Sequence, residues 1–215
     1  MLWIPGIRMC DGIAADYAEK QKYLKFTHNY DDDILSASRN MAKRYRCNTS
    51  HGQKIENYAL QIFDAMKKFH GLGTRERLLL QIASILHDCG KFISLRDSSA
   101  CAYNIIMATE IIGLSHAERE IVAEVVRCNL DAFRYGEGSI RAGKLTAMLR
   151  LANAMDRSHH GRLDDGKLQV KGNKLIISTS YAGNLALETM AVEDKADFFE
   201  EMFGIRPEIR QKRRV

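Results

Sequence analysis

The pattern of apolar positions is helical over most of the chain. Apolar residues recur at helical spacing from near Gly12 to Arg44, with a break around His28 and Asn29, and again from Thr49 to about Phe69. Such spacing puts them on one face of an α-helix. Further helices are predicted over 75–89, 99–112, 115–128, 139–158 and 186–202. The two prolines, Pro5 and Pro207, lie near the ends, so the middle of the chain is free to be helical.

The pattern changes after His160. A polar turn at 161–166 is followed by two segments, 167–170 and 174–180, in which apolar and polar residues alternate around Gly172-Asn173. Alternation on both sides of a Gly-Asn turn indicates a β-hairpin. We therefore predict a mainly α fold: a helical bundle with a small C-terminal appendage made of a β-hairpin and a helix.

Composition narrows the class of protein only a little. The chain is 46% hydrophobic and 27% charged, as ordinary soluble proteins are. No apolar run approaches the roughly 20 residues of a membrane span, so no membrane is expected as a partner. The start, MLWIPGIRMCDG, lacks the pattern of a secretory leader. Five scattered cysteines fit reduced thiols better than a disulfide framework, which predicts a cytoplasmic protein.

The net charge of +5 is partly concentrated at the C-terminus, in Arg206, Arg210, Lys212, Arg213 and Arg214. Basic surfaces attract polyanions such as polyphosphate or a phosphorylated nucleotide. A solvated terminus that aids solubility is the favoured alternative. Nucleic acid is disfavoured as a partner, because the basic segments lack the interleaved aromatic residues of single-strand binding surfaces.

Four ionisable residues extend the apolar rows of predicted helices. Asp156 continues the row that includes Leu145 and Ala152, His51 stands one turn before the row that begins at Ile55, and His87 follows its own apolar row. Moving a carboxylate from water into the protein interior without a partner is unfavourable by several kcal/mol. The simplest explanation is that His51, His87, Asp88 and Asp156 share a cation. Imidazole and carboxylate ligands suit Mn, Fe, Zn, Ni or Mg.

Neighbouring cations are candidates for substrate binding. The pair His87-Asp88 alone is only weak evidence for a metal site. Lys91 has two equally good interpretations: a phosphate contact, or a lysine favoured by the dipole at a helix C-terminus. Arg150, Arg157 and His160 lie near Asp156 in the sequence, although solvated helix flanks are the favoured interpretation of the two arginines. Nucleotide-cradling glycine-rich loops of the common types are absent from the sequence.

The order His51, His87-Asp88, Asp156 resembles the H…HD…D ligand pattern of the HD superfamily of metal-dependent phosphohydrolases. The strings LLLQIASILHDCGKFI, AYNIIMATEIIGLSHAEREIVAEVV and KLTAMLRLANAMDRSHHGRL resemble the C-terminal part of the exopolyphosphatase/guanosine-pentaphosphatase (Ppx/GppA) family. IPGIRMCDGIAADYA is similar to the last residues of that family's actin-like catalytic domain, and KADFFEEMFGIRPEI to its closing helix. The resemblance covers nearly the whole chain.

The resemblance implies an HD-type helical bundle with one divalent ion held by His51, His87, Asp88 and Asp156. It divides the chain into lead-in helices (1–45), an HD-type metal-binding domain (46–162) and a hairpin-and-helix subdomain (163–215). We expect a phosphohydrolase of polyphosphate or guanosine pentaphosphate, with Asp88 and Lys91 catalytic and with Lys91, Arg150, Arg157 and His160 binding substrate.

The alternative is a non-catalytic module that binds polyanions or dimerises. By the resemblance, the residues that cleave polyphosphate sit in the actin-like domain, which this sequence lacks almost entirely. A phosphate-rich small molecule or polyphosphate is the expected partner under either hypothesis, and a homodimer is left open.

Overall fold

A computed structural model describes residues 8–23, 29–133 and 139–211. The fold is mainly α, as predicted. The helices of the described part are α1 (Met9–Lys20), α2 (Tyr30–Arg44), α3 (Thr49–Ala65), α4 (Lys67–His70), α5 (Thr74–Leu86), α6 (Ser98–Ala108), α7 (His116–Cys128), α8 (Ile140–Met155) and α9 (Ala186–Phe203). The strands are β1 (Lys167–Lys171), β2 (Lys174–Thr179) and β3 (Arg206–Gln211).

Helix α8 lies at the centre of the bundle. It packs against α3, α5, α7 and α9, and its apolar row includes Leu145, Met148 and Leu149, all fully buried. A helix enclosed on several sides needs small or apolar residues nearly all round, and α8 has them from Ala142 to Met155. The position of α8 therefore puts the residue that follows its last turn, Asp156, inside the protein.

The start of α3 positions His51, and the end of α5 positions His87 and Asp88. Asn48 caps α3 by accepting a hydrogen bond from the His51 N–H at 3.2 Å. Helix α5 ends at Leu86, earlier than predicted, and a 3₁₀ turn over Cys89–Phe92 follows. His87 and Asp88 thus leave the helix end, where two adjacent side chains can turn toward one place.

The C-terminal appendage contains a strand that the sequence pattern did not predict. The hairpin of β1 and β2 is antiparallel, as expected, and β3 then pairs with β2 in parallel after α9. The sheet order is β1-β2-β3, which makes β3 an edge strand. An edge tolerates Pro207, whose missing N–H would disrupt a central strand. Gly204 ends α9 in the left-handed conformation, at φ +66°.

Part of the predicted basic tail is neutralised within the appendage. Arg206 lies 2.9 Å from Asp197 and 2.7 Å from Glu200, and Arg210 lies 2.8 Å from Glu208. Lys212, Arg213 and Arg214, like His28, fall outside the described residues. Arg206 and Arg210 are therefore already paired with carboxylates and do not form an unpaired basic surface for a polyanion.

The division of the chain at 45 and 162 stays a prediction. One buried apolar cluster contains Leu149 of the bundle together with Leu175 and Phe199 of the appendage. Within the described ranges, the structure has no helix that is both long enough and apolar enough to span a lipid bilayer.

Gly90 generates a prediction about the turn that carries His87 and Asp88. A Cβ atom at Gly90 would overlap the Ser98 carbonyl and lie 2.7 Å from the Ala102 nitrogen, so the α6 backbone would have to move. We expect Gly90→Ala to lower the free energy of unfolding by about 2 kcal/mol or more, measured by urea denaturation.

Gly52, within α3, is the matched control for this substitution. A Cβ atom there meets nothing within 4 Å. Because alanine favours a helix more than glycine does, Gly52→Ala should raise stability by about 0.5–1 kcal/mol. Equal effects of the two substitutions would contradict the close approach at Gly90.

Candidate metal centre

His51 and Asp156 meet in the interior although 105 positions separate them. Asp156 Oδ2 accepts a hydrogen bond from His51 Nδ1 at 2.8 Å, and both side chains are almost fully buried. The other carboxylate oxygen, Oδ1, accepts from the Gly161 N–H at 2.8 Å. Burial raises the pKa of Asp156, but these hydrogen bonds and nearby positive charge outweigh it and leave the pKa below its ordinary value.

His87 joins this pair from the end of α5. Its ring lies edge-on to His51, with the ring centroids 5.3 Å apart. His87 Nδ1 donates to the Ser84 carbonyl at 2.7 Å, which leaves the lone pair on Nε2. Nε2 is buried and has no hydrogen-bond partner among the described residues. Burial, opposed by Asp88 and by the hydrogen bond to Ser84, lowers the pKa of the imidazole.

Asp88 lies between His87 and the protein surface. Its Oδ1 is 3.5 Å from His87 Nε2 and 2.6 Å from Lys91 Nζ. Burial raises the pKa of Asp88, yet His87 and Lys91 together hold that pKa below its ordinary value. Lys91 is more exposed than Asp88, so the ammonium group stands at the mouth of the cluster.

His159 belongs to the same cluster, although sequence reasoning left it without a role. Its ring stacks on His51, with centroids 3.8 Å apart. Ligand atoms of His51, Asp156 and His159 all lie within 4.8 Å of one another. His159 has φ +59°, a left-handed conformation that a residue other than glycine adopts only at some energetic cost. No helical periodicity could reveal it, since it lies in a loop after α8.

That loop is fixed by groups on both sides. The His159 N–H donates to the Asp156 carbonyl at 2.9 Å. The Ser158 N–H donates to Glu188 Oε1 at 3.3 Å, and Glu188, on α9, is fully buried. The second oxygen of Glu188 lies 3.6 Å from Arg162. Helix α9 of the appendage thereby holds the loop that presents His159.

The other predicted cations lie apart from the cluster. Arg150 and Arg157 line a groove of about 670 Å³ between α8 and α9, together with Asn129 and Asn153. Arg150 donates from Nε to the Cys128 carbonyl at 2.8 Å, also donates to the Asp131 carbonyl, and covers the Phe198 ring. These bonds account for much of what its guanidinium can donate. The residues of the His–Asp cluster are not among those that line this groove.

His160 does not continue the buried row of α8. The helix ends at Met155, and His160 is an exposed loop residue whose Nδ1 bonds to the Ser158 carbonyl. His160 and Asp156 therefore do not share a helix face, because α8 ends before both residues. Its predicted role in substrate binding, like those of Arg150 and Arg157, stays a prediction.

The cluster can offer a cation both nitrogen and oxygen ligands. Ligand atoms of His51, Asp156 and His159 lie close together. His87 and Asp88 stand outside that group: His87 adjoins it through the ring of His51, and Asp88 lies beside His87. The bare Nε2 of His87 is the strongest indication, since a buried acceptor without a partner is unfavourable unless a ligand occupies it. The residues present thus fit a divalent metal ion.

Comparison with known proteins identifies the family. Residues 35–194 match the profile of "Ppx/GppA phosphatase, domain III". The chain therefore belongs to the Ppx/GppA phosphatase family. It is 24% identical over 157 residues to the guanosine-5'-triphosphate,3'-diphosphate pyrophosphatase of Photobacterium profundum. The match covers 70% of this chain and 32% of that protein, so the chain corresponds to about a third of its relative.

Asp156 should be needed for folding even when metal is removed. Asp156→Ala would leave the buried Nδ1–H of His51 and the half-buried N–H of Gly161 without an acceptor. We expect the free energy of unfolding to fall by about 3 kcal/mol in urea titrations that contain a chelator.

Asp194→Ala is the control, because the Asp194 side chain is 79% exposed and its ion pair with Lys195 is long, at 4.0 Å. Its effect should stay within about 0.5 kcal/mol. If both variants unfold alike, the pairing of Asp156 with His51 is not a stabilising contact.

Proposed function

We propose that this chain is the HD-type, metal-binding helical domain of a Ppx/GppA-like phosphohydrolase. Its substrates would be phosphoanhydrides or phosphoesters of the polyphosphate or guanosine pentaphosphate class. The observation that carries the proposal is the convergence of His51, His87 and Asp156 in the protein interior, with His87 Nε2 left unpartnered among the described residues. Membership of a phosphatase family supports the reaction class.

The metal would be held by the predicted ligands His51, His87, Asp88 and Asp156, with His159 as an additional ligand. Imidazole nitrogen with carboxylate oxygen suits Mn, Fe, Zn or Ni and, with more water, Mg. Such an ion would withdraw charge from a phosphoryl oxygen and lower the pKa of water.

Asp88 and Lys91 form the part of the site that handles charge and protons. Lys91 Nζ now pairs with Asp88 Oδ1 at 2.6 Å. A phosphate group at the mouth would compete with Asp88 for the Lys91 ammonium. Lys91 would then partly neutralise the negative charge of the phosphate. Asp88, whose pKa is held low, is ionised at neutral pH and can accept a proton from an attacking water. On this proposal, Asp88 and Lys91 have the catalytic roles expected from the sequence.

The first test is metal content and affinity. Wild-type protein should bind about one Mn ion per chain, measured by mass spectrometry of the purified chain and by titration calorimetry. His51→Ala and His159→Ala should each weaken binding at least about tenfold. His116→Ala is the control, since His116 is an exposed histidine in the first turn of α7. Unchanged affinity in His159→Ala would remove that residue from the ligand set.

The second test is phosphate release. With Mn or Mg, the purified chain should release phosphate from at least one member of a panel of nucleotides and polyphosphates, and His87→Ala should abolish it. The variant loses the unpartnered nitrogen but keeps Asp88 and Lys91 in place. Equal rates for wild type and variant would reject the assignment of the site.

The compartment stays the prediction that the scattered cysteines suggested. All five, Cys10, Cys47, Cys89, Cys101 and Cys128, are free thiols. This state is compatible with a reducing cytoplasm.

A second candidate function is a non-catalytic module that dimerises or binds polyanions. One observation favours it: α1 has no buried residue, and Met9, Ile13 and Tyr17, spaced four apart, are 85%, 64% and 61% exposed. An apolar stripe on an unpacked helix can pair with another surface. Salt-sensitive polyphosphate binding without any turnover, together with a dimer in sedimentation equilibrium, would favour this function over hydrolysis.

A further inference from the structure

The groove between α8 and α9 is large enough to hold an organic ligand. Its volume of about 670 Å³ lies within the range of about 300–1,000 Å³ that is usual for small-molecule sites. At one end, Arg150 of α8 lies over the Phe198 ring of α9. At the other end, Ser158, just after α8, bonds to Glu188 near the start of α9. The two helices therefore form antiparallel walls.

Exposed apolar side chains line this groove. Leu130, Leu187 and Met190 all belong to its lining and are 54%, 55% and 67% exposed. Exposed apolar surface is unfavourable by roughly 25 cal/mol per Å². The unbranched methionine side chain can also adapt its shape to a bound apolar group. The groove thus favours a ligand with an apolar body.

Asn129 gives a second, independent indication of a ligand. It lies at the C-terminal end of α7, is only 5% exposed and lines the groove. Its Oδ1 is buried and has no hydrogen-bond partner among the described residues. A buried acceptor of this kind is unfavourable unless a donor reaches it. A ligand in the groove can provide that donor, directly or through a water molecule that it holds in place.

Arg157 offers the groove a guanidinium group that is open to a ligand. Its side chain is exposed and, within the part of the chain that the structure describes, has no ion pair or hydrogen bond. Arg150, by contrast, already donates to two backbone carbonyls. A guanidinium group binds a carboxylate well, because its parallel N–H donors match the two oxygens. The groove therefore also favours an anionic head group.

Acidic residues elsewhere in the groove limit the charge of the ligand. Glu193, Asp194 and Asp197 line it further along α9 than Leu187. A molecule that is negative along its whole length, such as inorganic polyphosphate, would be repelled there. A single negative group at Arg157, followed by an apolar body, avoids this repulsion.

We propose that the groove between α8 and α9 is an effector site for a small organic monoanion, with a carboxylate or similar head group and an apolar body. The head group pairs with Arg157, and the body lies against Leu187, Met190 and Leu130. This ligand is distinct in chemistry from the phosphate-rich substrates proposed for the His–Asp cluster.

The groove adjoins the contact that fixes the loop after α8. Arg157 directly precedes Ser158, whose N–H donates to Glu188, and Leu187 directly precedes Glu188. A ligand bound to Arg157 and Leu187 together favours the arrangement that presents His159. Binding of the ligand and of the metal should then strengthen each other by the same factor, as linkage requires. This coupling rests on the proposed function, whereas the anion site does not.

The anion site is tested without metal, using the fluorescent probe anilinonaphthalene sulfonate, which has one negative group on an apolar ring system. Octanoate should displace the bound probe. Octylammonium, with a similar chain but a positive head group, should not displace it, and neither should inorganic tripolyphosphate. Arg157→Gln should weaken the displacement by octanoate at least about fivefold, because a hydrogen-bonded charge pair is lost.

Matched substitutions check where the ligand binds. Arg44→Gln removes an exposed arginine in the last turn of α2, outside the groove, and should leave the affinity for octanoate unchanged. Leu187→Ala should weaken octanoate about fivefold, because the ligand loses an apolar contact. Leu95→Ala, at an 82% exposed leucine outside the groove, should have no effect. Circular dichroism checks that each variant is folded.

Coupling to the metal site is measured by Mn titration calorimetry with and without saturating octanoate. In wild-type protein, octanoate should tighten Mn binding at least about fivefold. Glu188→Leu removes the acceptor of the Ser158 N–H, so octanoate should still bind but no longer change the affinity for Mn. His159→Ala, which leaves the buried Glu188 intact, should lose the coupling as well.

The outcomes separate this proposal from the proposed function. If octanoate and octylammonium displace the probe equally, or if Arg157→Gln leaves displacement unchanged, the anion site is overturned. If octanoate binds as expected but Mn affinity does not respond, the effector role is overturned. If wild-type protein binds no Mn, the proposed function fails together with the coupling, and displacement by octanoate decides the anion site by itself.

Discussion

The contact between His51 and Asp156 is the constraint on which the rest of the site depends. A carboxylate that is only 1% exposed needs partners, and the imidazole of His51 and the Gly161 N–H are the ones it has. This need fixes the end of α8 against the start of α3. The same arrangement brings the end of α5 and the loop after α8 close enough for His87 and His159 to touch the ring of His51.

Much of the fold could be predicted because long helices repeat their apolar residues regularly. Helices α7 and α9 begin and end within a few residues of the predicted positions, and the capping box from Ser115 to Glu118 is present. Strand β3 escaped prediction for a physical reason. Pro207 and the charged residues around it conceal an edge strand, which is half-buried and needs no continuous apolar row.

The candidate site was predictable only where helices carry it. His51 and Asp156 stand on or directly after apolar rows, so their burial could be inferred from spacing alone. His159 depends on a left-handed residue in a loop, and that geometry has no signature in a helical pattern. Arg157 follows Asp156 in the sequence and lines the groove between α8 and α9, and its role in substrate binding stays a prediction.

Glu188 has a consequence for how the bundle and the appendage communicate. From its position on α9, its carboxylate accepts a hydrogen bond from the N–H of Ser158, the residue before His159. Local opening of α9 would release this hydrogen bond and, with it, the constraint on the His159 ring. Hydrogen-exchange protection of the Ser158 amide therefore reports how firmly α9 is packed. A molecule that binds and stabilises the small sheet would also restrict the His159 ring, without contacting it.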